Sequence, residues 1–177
     1  QWSEDMGVEM AQMDATHQEC VALLQAVQGA DDARLMAAWE RLLAHTEAHF
    51  AEEDRWMQAT RFAAGNCHSQ QHQQVLNIMR DGTERARKGR LVELRLMAAE
   101  LAVWLPQHID AMDAGLAHHL RQVGYDPATG HIAHPEALPQ CSQSPISSIA
   151  SSLPSGSSSS GTSRTWGNCS RLRSSCA

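Results

Sequence analysis

Seven residues in the first two-thirds of this chain have the types and spacing needed to hold metal. His49 and Glu53 stand four positions apart, as do His68 and His72, and residues at i and i+4 share one helix face. His17 interrupts an apolar stripe, and His108 is followed five positions later by Asp113. On an α-helix an offset of five is about 140° of rotation, so His108 and Asp113 are expected to approach a shared centre from different sides. One histidine on an apolar face is an ordinary hydrogen-bonded core residue. Five imidazoles and two carboxylates buried without partners would cost on the order of several kcal/mol per group, a penalty that metal coordination removes. Zinc sites favour four ligands, so this set is too large for one zinc. Imidazole with carboxylate suits iron, and two irons of octahedral-like coordination would nearly absorb the set, leaving one position open on one metal.

Four helical segments position these groups. Helix A is expected from about Met13 to Gln28, with Asp14 as N-cap and Gly29 as stop, and an apolar stripe of Met13, Val21, Leu24 and Val27 that also carries His17 and Cys20. Helix B runs from Asp31 or Asp32 to about Thr60, with Leu35, Trp39, Leu42, Thr46, His49, Glu53 and Trp56 inward. Helix C follows Gly65, capped by Asn66, with His68, His72, Val75 and Met79 on one face and Arg85, Arg87 and Lys88 near its end at Gly89. Helix D spans about Leu91 to Val123, with Leu94, Met97, Leu101, Trp104, Leu105, His108 and Met112 inward and Gly124 closing it. Four such helices on short loops predict an all-α, up-down-up-down four-helix bundle over residues 1–124, after an N-terminal arm. Residues 125–140, with Pro127, Pro135 and Pro139, read as an irregular strap. From Cys141 to residue 177 the chain is Ser-rich and too poor in apolar residues to offset ordering entropy, so a disordered low-complexity tail is expected.

Composition narrows the function classes. The formal charge is −6, and the last 37 residues hold three arginines and no acid, which leaves −9 on the first 140. A domain this acidic is a poor ligand for nucleic acid or an anionic membrane. The 5 cysteines form no CxxC pair and no disulfide framework. There is no 18-residue apolar run and no basic-then-apolar leader, so the protein is expected in the cytoplasm.

The stretches Asp14–Ala15–Thr16–His17, His49–Phe50–Ala51–Glu52–Glu53, His68–Ser69–Gln70–Gln71–His72 and Trp104–Leu105–Pro106–Gln107–His108–Ile109–Asp110–Ala111–Met112–Asp113 resemble the motifs of the bacterial branch of the hemerythrin family. Trp2 fits the family's usual opening. The resemblance covers about two-thirds of the chain. It implies a di-iron centre with an oxo or hydroxo bridge, in which His68, His72 and His108 bind one iron, His17 and His49 the other, and Glu53 and Asp113 bridge both. Dioxygen would bind end-on at the iron with two histidines, as a hydroperoxide, reversibly, for storage, delivery to an oxygen-using enzyme, or sensing. That would make the chain an oxygen-binding protein rather than an enzyme. The alternative is a di-iron enzyme or stress protein turning over peroxide or nitric oxide. Phe50, Trp104, Leu105 and Ile109 sit beside the ligands in sequence and are expected to wall the oxygen pocket.

Other residues could mislead. His45 lies one turn before His49, where the family usually has tyrosine, and is expected beside the site rather than in it. His118 and His119 are adjacent, so at most one can face inward. His131 and His134 belong to the strap. Cys20 is expected to act as a small hydrophobe facing the pocket. Pro106 inside helix D should cost about 3 kcal/mol unless a kink accommodates it, and it lies where it could adjust the aim of His108.

Overall fold

The computed structural model describes residue 3, residues 6–62 and residues 65–140. Trp2 and the tail expected from residue 141 lie outside them. Alanine, leucine and methionine at helical spacing build α1 (Ala11–Gln28), α2 (Asp32–Ala59), α3 (Gly65–Arg87) and α4 (Leu91–His108). A π-helical turn, Ile109–Asp113, leads from α4 into α5 (Ala114–Val123), so the fourth rod is interrupted where the apolar period alone predicts one helix. No strand forms among the described residues. α1 packs on α2 and α4, and α3 packs on the same two, which closes an all-α bundle with sequence neighbours side by side. No helix among the described residues is long and apolar enough to cross a membrane.

The helix ends follow local hydrogen-bond chemistry. Asp31 caps α2 by accepting from the backbone N–H of Arg34 at 3.0 Å. α1 begins at Ala11, so Asp14 is not its N-cap. From one turn inside, its carboxylate reaches back to the N–H groups of Val8 (2.7 Å) and Met10 (3.2 Å), serving the arm before the helix. α3 starts at Gly65, which puts Asn66 in the first turn rather than at the cap. Gly124 closes α5 in the left-handed region at φ 61, and a Cβ there would fall 2.7 Å from the Cβ of Ala133. The strap after it is irregular. It is tied back by Ala133 N–H to Gly124 O and His134 N–H to Val123 O, both 3.0 Å, and carries one 3-10 turn at Pro135–Ala137.

The apolar stripes meet in two clusters. One is built around Leu35, Trp39, Leu42, Met79 and Leu94, with the Trp39 indole N–H donating to Thr83 Oγ1 at 3.0 Å. The other gathers Met13, Trp56, Leu105, Ile109, Leu116 and Leu120. Each large apolar side chain buried this fully contributes roughly 1.5–3 kcal/mol, enough to hold a polar layer between the clusters. That layer is His17, His49, Glu53, His68, His72, His108 and Asp113, every one buried.

Candidate metal centre

Each helix delivers its part of this layer by its own period. α1 contributes His17, α2 contributes His49 and Glu53, α3 contributes His68 and His72, and α4 ends on His108. The two i,i+4 pairs each present both side chains to the interior, as their spacing predicts. His108 and Asp113 differ from expectation. They approach together, His108 Nε2 lying 3.2 Å from Asp113 Oδ1, because Ile109–Asp113 is a π turn. Bonding from i to i+5 takes up one extra residue in the turn, so an offset of five here does what an offset of four does in an α-helix. Pro106, with no N–H to give, breaks the regular ladder three residues before that turn.

The donor atoms converge in two overlapping groups. Glu53, His68, His72, His108 and Asp113 form one, and His17, His49, Glu53 and Asp113 the other, with the donor atoms of each group all within 4.8 Å of one another. Asp113 faces His17 Nε2 at 3.0 Å through Oδ2 and His68 Nε2 at 2.9 Å through Oδ1. Glu53 faces His49 Nε2 at 3.1 Å through Oε1, and His68 and His72 Nε2 at 3.4 and 3.3 Å through Oε2. Each carboxylate thus spans both groups, one oxygen to each. These contacts are close but badly aimed for hydrogen bonding. Both oxygens of Glu53 and of Asp113, and Nε2 of His72, make no directed hydrogen bond despite being buried. Buried polar atoms in that state are costly, and donors aimed at common points between them are what metal ions would satisfy. The residues present therefore fit a pair of metal ions.

The electrostatics agree. Burial and the charge of Asp113 work against the Glu53 carboxylate, yet the imidazoles of His49, His68 and His72 outweigh both and hold it well below the usual carboxylate range. Asp113 is likewise held far down by His108, His17 and His68 against the effect of burial. Burial opposes a charge on His68, but Asp113 and Glu53 override it and lift the imidazole to about 9. His49 is raised for the same reason, chiefly through Glu53, whereas burial wins at His108 and lowers it.

A small cavity of ≈ 20 Å³ adjoins one group only. It is lined by His17 and His49 and by none of His68, His72 or His108. Phe50, Trp104 and Leu105 line it, while Ile109 is buried in the neighbouring apolar cluster. Its other walls include Leu24 and Cys20 from α1, Thr46 from α2, Val75 and Met79 from α3 and Leu101 from α4. Thr46 spends its hydroxyl on Leu42 O, and burial pushes the Cys20 thiol up to about 12, so both present neutral surface. Phe50 stacks on His72 at 3.9 Å between ring centroids, and Trp104 stacks on His108 at 4.4 Å.

His45 stays outside both groups: its Nε2 lies 3.1 Å from Thr16 O, its Nδ1 3.7 Å from Glu19, and its ring stacks on His49. His119 lies against Thr60 O and His118 is exposed. Reasoning from spacing missed Asp54 and Gln71. His72 Nδ1 lies 3.2 Å from Asp54 Oδ1, and His108 Nδ1 lies 3.1 Å from Gln71 Oε1. The available signal was slight: Asp54 follows Glu53 directly, and Gln71 precedes His72.

The family described as the hemerythrin HHE cation binding domain matches residues 9–120 of the chain. The chain is also 40% identical, over 126 residues, to a bacteriohemerythrin of Ralstonia nicotianae, an alignment covering 71% of this chain and 92% of that protein. No solved structure matches.

Proposed function

The chain belongs to the hemerythrin family, and on that premise we propose that it holds two irons and binds dioxygen reversibly on the side of His17 and His49, for storage, delivery or sensing. The observation that carries this reading is the asymmetry of the layer. Two donor groups share Glu53 and Asp113, one has three histidines and the other two, and the cavity borders the group with two. His68, His72 and His108 would hold one iron, His17 and His49 the other, and the two carboxylates would bridge them.

A ferrous pair bound there would supply two electrons to one dioxygen molecule. The chain's own residues do the rest. With metal bound, the five imidazoles would be neutral and bring no negative charge, so only Glu53 and Asp113 would offset the ions. A shell this poor in charge favours reversible binding over bond cleavage. Phe50, Trp104, Leu105, Leu24 and Leu101 make the cavity apolar and limit water beside the open position. Its size suits a molecule about as large as water.

Metal analysis of anaerobically purified protein is expected to give about two irons per chain. One iron, or mostly zinc, would sink the di-iron assignment. Mixing the diferrous protein with dioxygen in a stopped-flow instrument should produce a persistent visible charge-transfer band that bleaches under vacuum. Rapid oxidation with consumption of added peroxide would point to an enzyme instead.

The bundle is proposed as residues 1–124, with 125–140 as a strap and 141–177 as a separate tail. Every donor and cavity residue lies between positions 17 and 113. Deleting residues 141–177 is therefore expected to leave helix content, iron loading and the dioxygen band unchanged, as circular dichroism and iron analysis would read. Loss of iron in the truncated chain would refute that division. Residence in the cytoplasm is proposed with it.

A further inference from the structure

Two side chains outside the donor layer hold the far nitrogens of two of its histidines. Asp54, on α2, presents Oδ1 to His72 Nδ1 at 3.2 Å, and the same oxygen accepts the Ser69 hydroxyl at 2.7 Å. Gln71 presents its amide oxygen to His108 Nδ1 at 3.1 Å. His72 is fully buried while the Asp54 side chain is 33% exposed, so Asp54 stands at the rim with its inner oxygen turned toward the layer.

An ionised carboxylate has no proton to give, so the proton of the His72–Asp54 contact belongs to His72 Nδ1. A neutral imidazole with its proton on Nδ1 carries its lone pair on Nε2. That is the atom facing Glu53 and making no directed hydrogen bond. The amide oxygen of Gln71 acts on His108 in the same sense, since an oxygen there can only accept. Ser69, one turn before His72 on α3, fixes the carboxylate that fixes the ring. Phe50 stacks flat on His72, with 6° between planes, and limits ring tilt from the other side.

We propose that Asp54, held by Ser69, is a positioning residue that sets the tautomer and aim of His72, with Gln71 doing the same for His108. Two histidines of the three-histidine group, His72 and His108, are thereby turned to ligate through Nε2. This inference rests on the di-iron reading above. A carboxylate behind a ligand histidine also strengthens its lone pair, and losing such a partner typically costs about 10–100-fold in metal affinity.

The test uses the full-length, iron-loaded protein and a strong iron chelator in excess. Asp54→Ala is expected to release iron about 10–100-fold faster than wild type. Asp54→Asn, which keeps an oxygen at the same place, and Ser69→Ala should fall between the two. Glu47→Ala, which breaks only the surface pair with Arg80, should match wild type. Helix content of all four variants, read by circular dichroism, separates iron release from unfolding. A second readout is the hyperfine-shifted, solvent-exchangeable imidazole N–H resonance of His72, whose exchange should speed up in Asp54→Ala. If Asp54→Ala misfolds, the Asn and Ser69 variants decide. Release at the wild-type rate from all three Asp54 and Ser69 variants, with an unmoved N–H resonance, overturns this inference alone. A wild-type protein that carries no iron overturns the di-iron reading and this inference with it.

Discussion

Replacing Glu53 by alanine is expected to empty the metal centre. Its two oxygens face both groups, meeting His49 on one side and His68 and His72 on the other. On the di-iron reading, the substitution would remove one bridge and one of only two compensating charges from a buried layer. Breaking a buried charge arrangement by deleting one partner costs roughly 3–5 kcal/mol, equivalent to roughly 10²- to 4 × 10³-fold in an equilibrium constant. His49→Ala should be less severe, because it removes one neutral donor from one group. His45→Ala should keep both irons, since that ring stacks on His49, contacts Thr16 O and Glu19, and joins neither donor group. Iron content and the dioxygen-dependent band, measured for the three variants together, check the order. Iron lost from the His45 variant and kept by the His49 variant would mean that the wrong turn of α2 has been assigned to the metal.

The second large effect concerns pH. The metal-free protein is expected to lose stability as pH rises from about 6.5 to about 9, and the iron-loaded protein is not. His68 is lifted from 6.5 to about 9 by Asp113 and Glu53 against burial. A histidine raised on folding stabilises fully below its unfolded value, and that contribution disappears as pH climbs through the folded value. The shift corresponds to a loss on the order of 3 kcal/mol across the window. His49, also raised, adds to it in the same direction. His108, lowered by burial, acts only below 6.5, where the unfolded chain takes up a proton that the folded one refuses. The two carboxylates contribute above their ordinary values and cease to do so only as acid reaches their depressed folded ones. Bound metal reverses the trend, since ligation needs unprotonated imidazole and weakens as pH falls. Melting temperatures of both forms at several pH values test this. A flat metal-free profile across the window would show that His68 does not hold its proton.

Most of the bundle is legible from the order of residues, because i,i+4 pairs and apolar stripes are properties of a single helix. His49 with Glu53, and His68 with His72, need nothing beyond 3.6 residues per turn to share a face. Gly124 is readable for a similar reason, since the left-handed closure it adopts favours a residue without a Cβ. Three features are not local and stayed hidden. The π turn adds a residue to one turn without any composition that marks it, so His108 and Asp113 come in together where their spacing on an α-helix predicts approach from different sides. Asp54 and Gln71 look like solvated polar positions until α2, α3 and α4 are set side by side. Ile109 is adjacent to His108 in sequence, yet it packs in the cluster of Met13 and Trp56.

The cavity has one more consequence, and it is kinetic. Its walls come from all four long helices. A small molecule enters or leaves when neighbouring side chains hop rotamers or adjacent helices part briefly, motions that run from picoseconds to microseconds and slower. Traffic of this kind depends on the fluctuation and not on its direction. Loosening the wall at Leu24 or Leu101 would speed arrival and escape together and leave the equilibrium between them nearly where it was. On the proposed reading, affinity and exchange rate would be governed by different parts of the molecule, the first by the buried donors and the second by the apolar side chains around them.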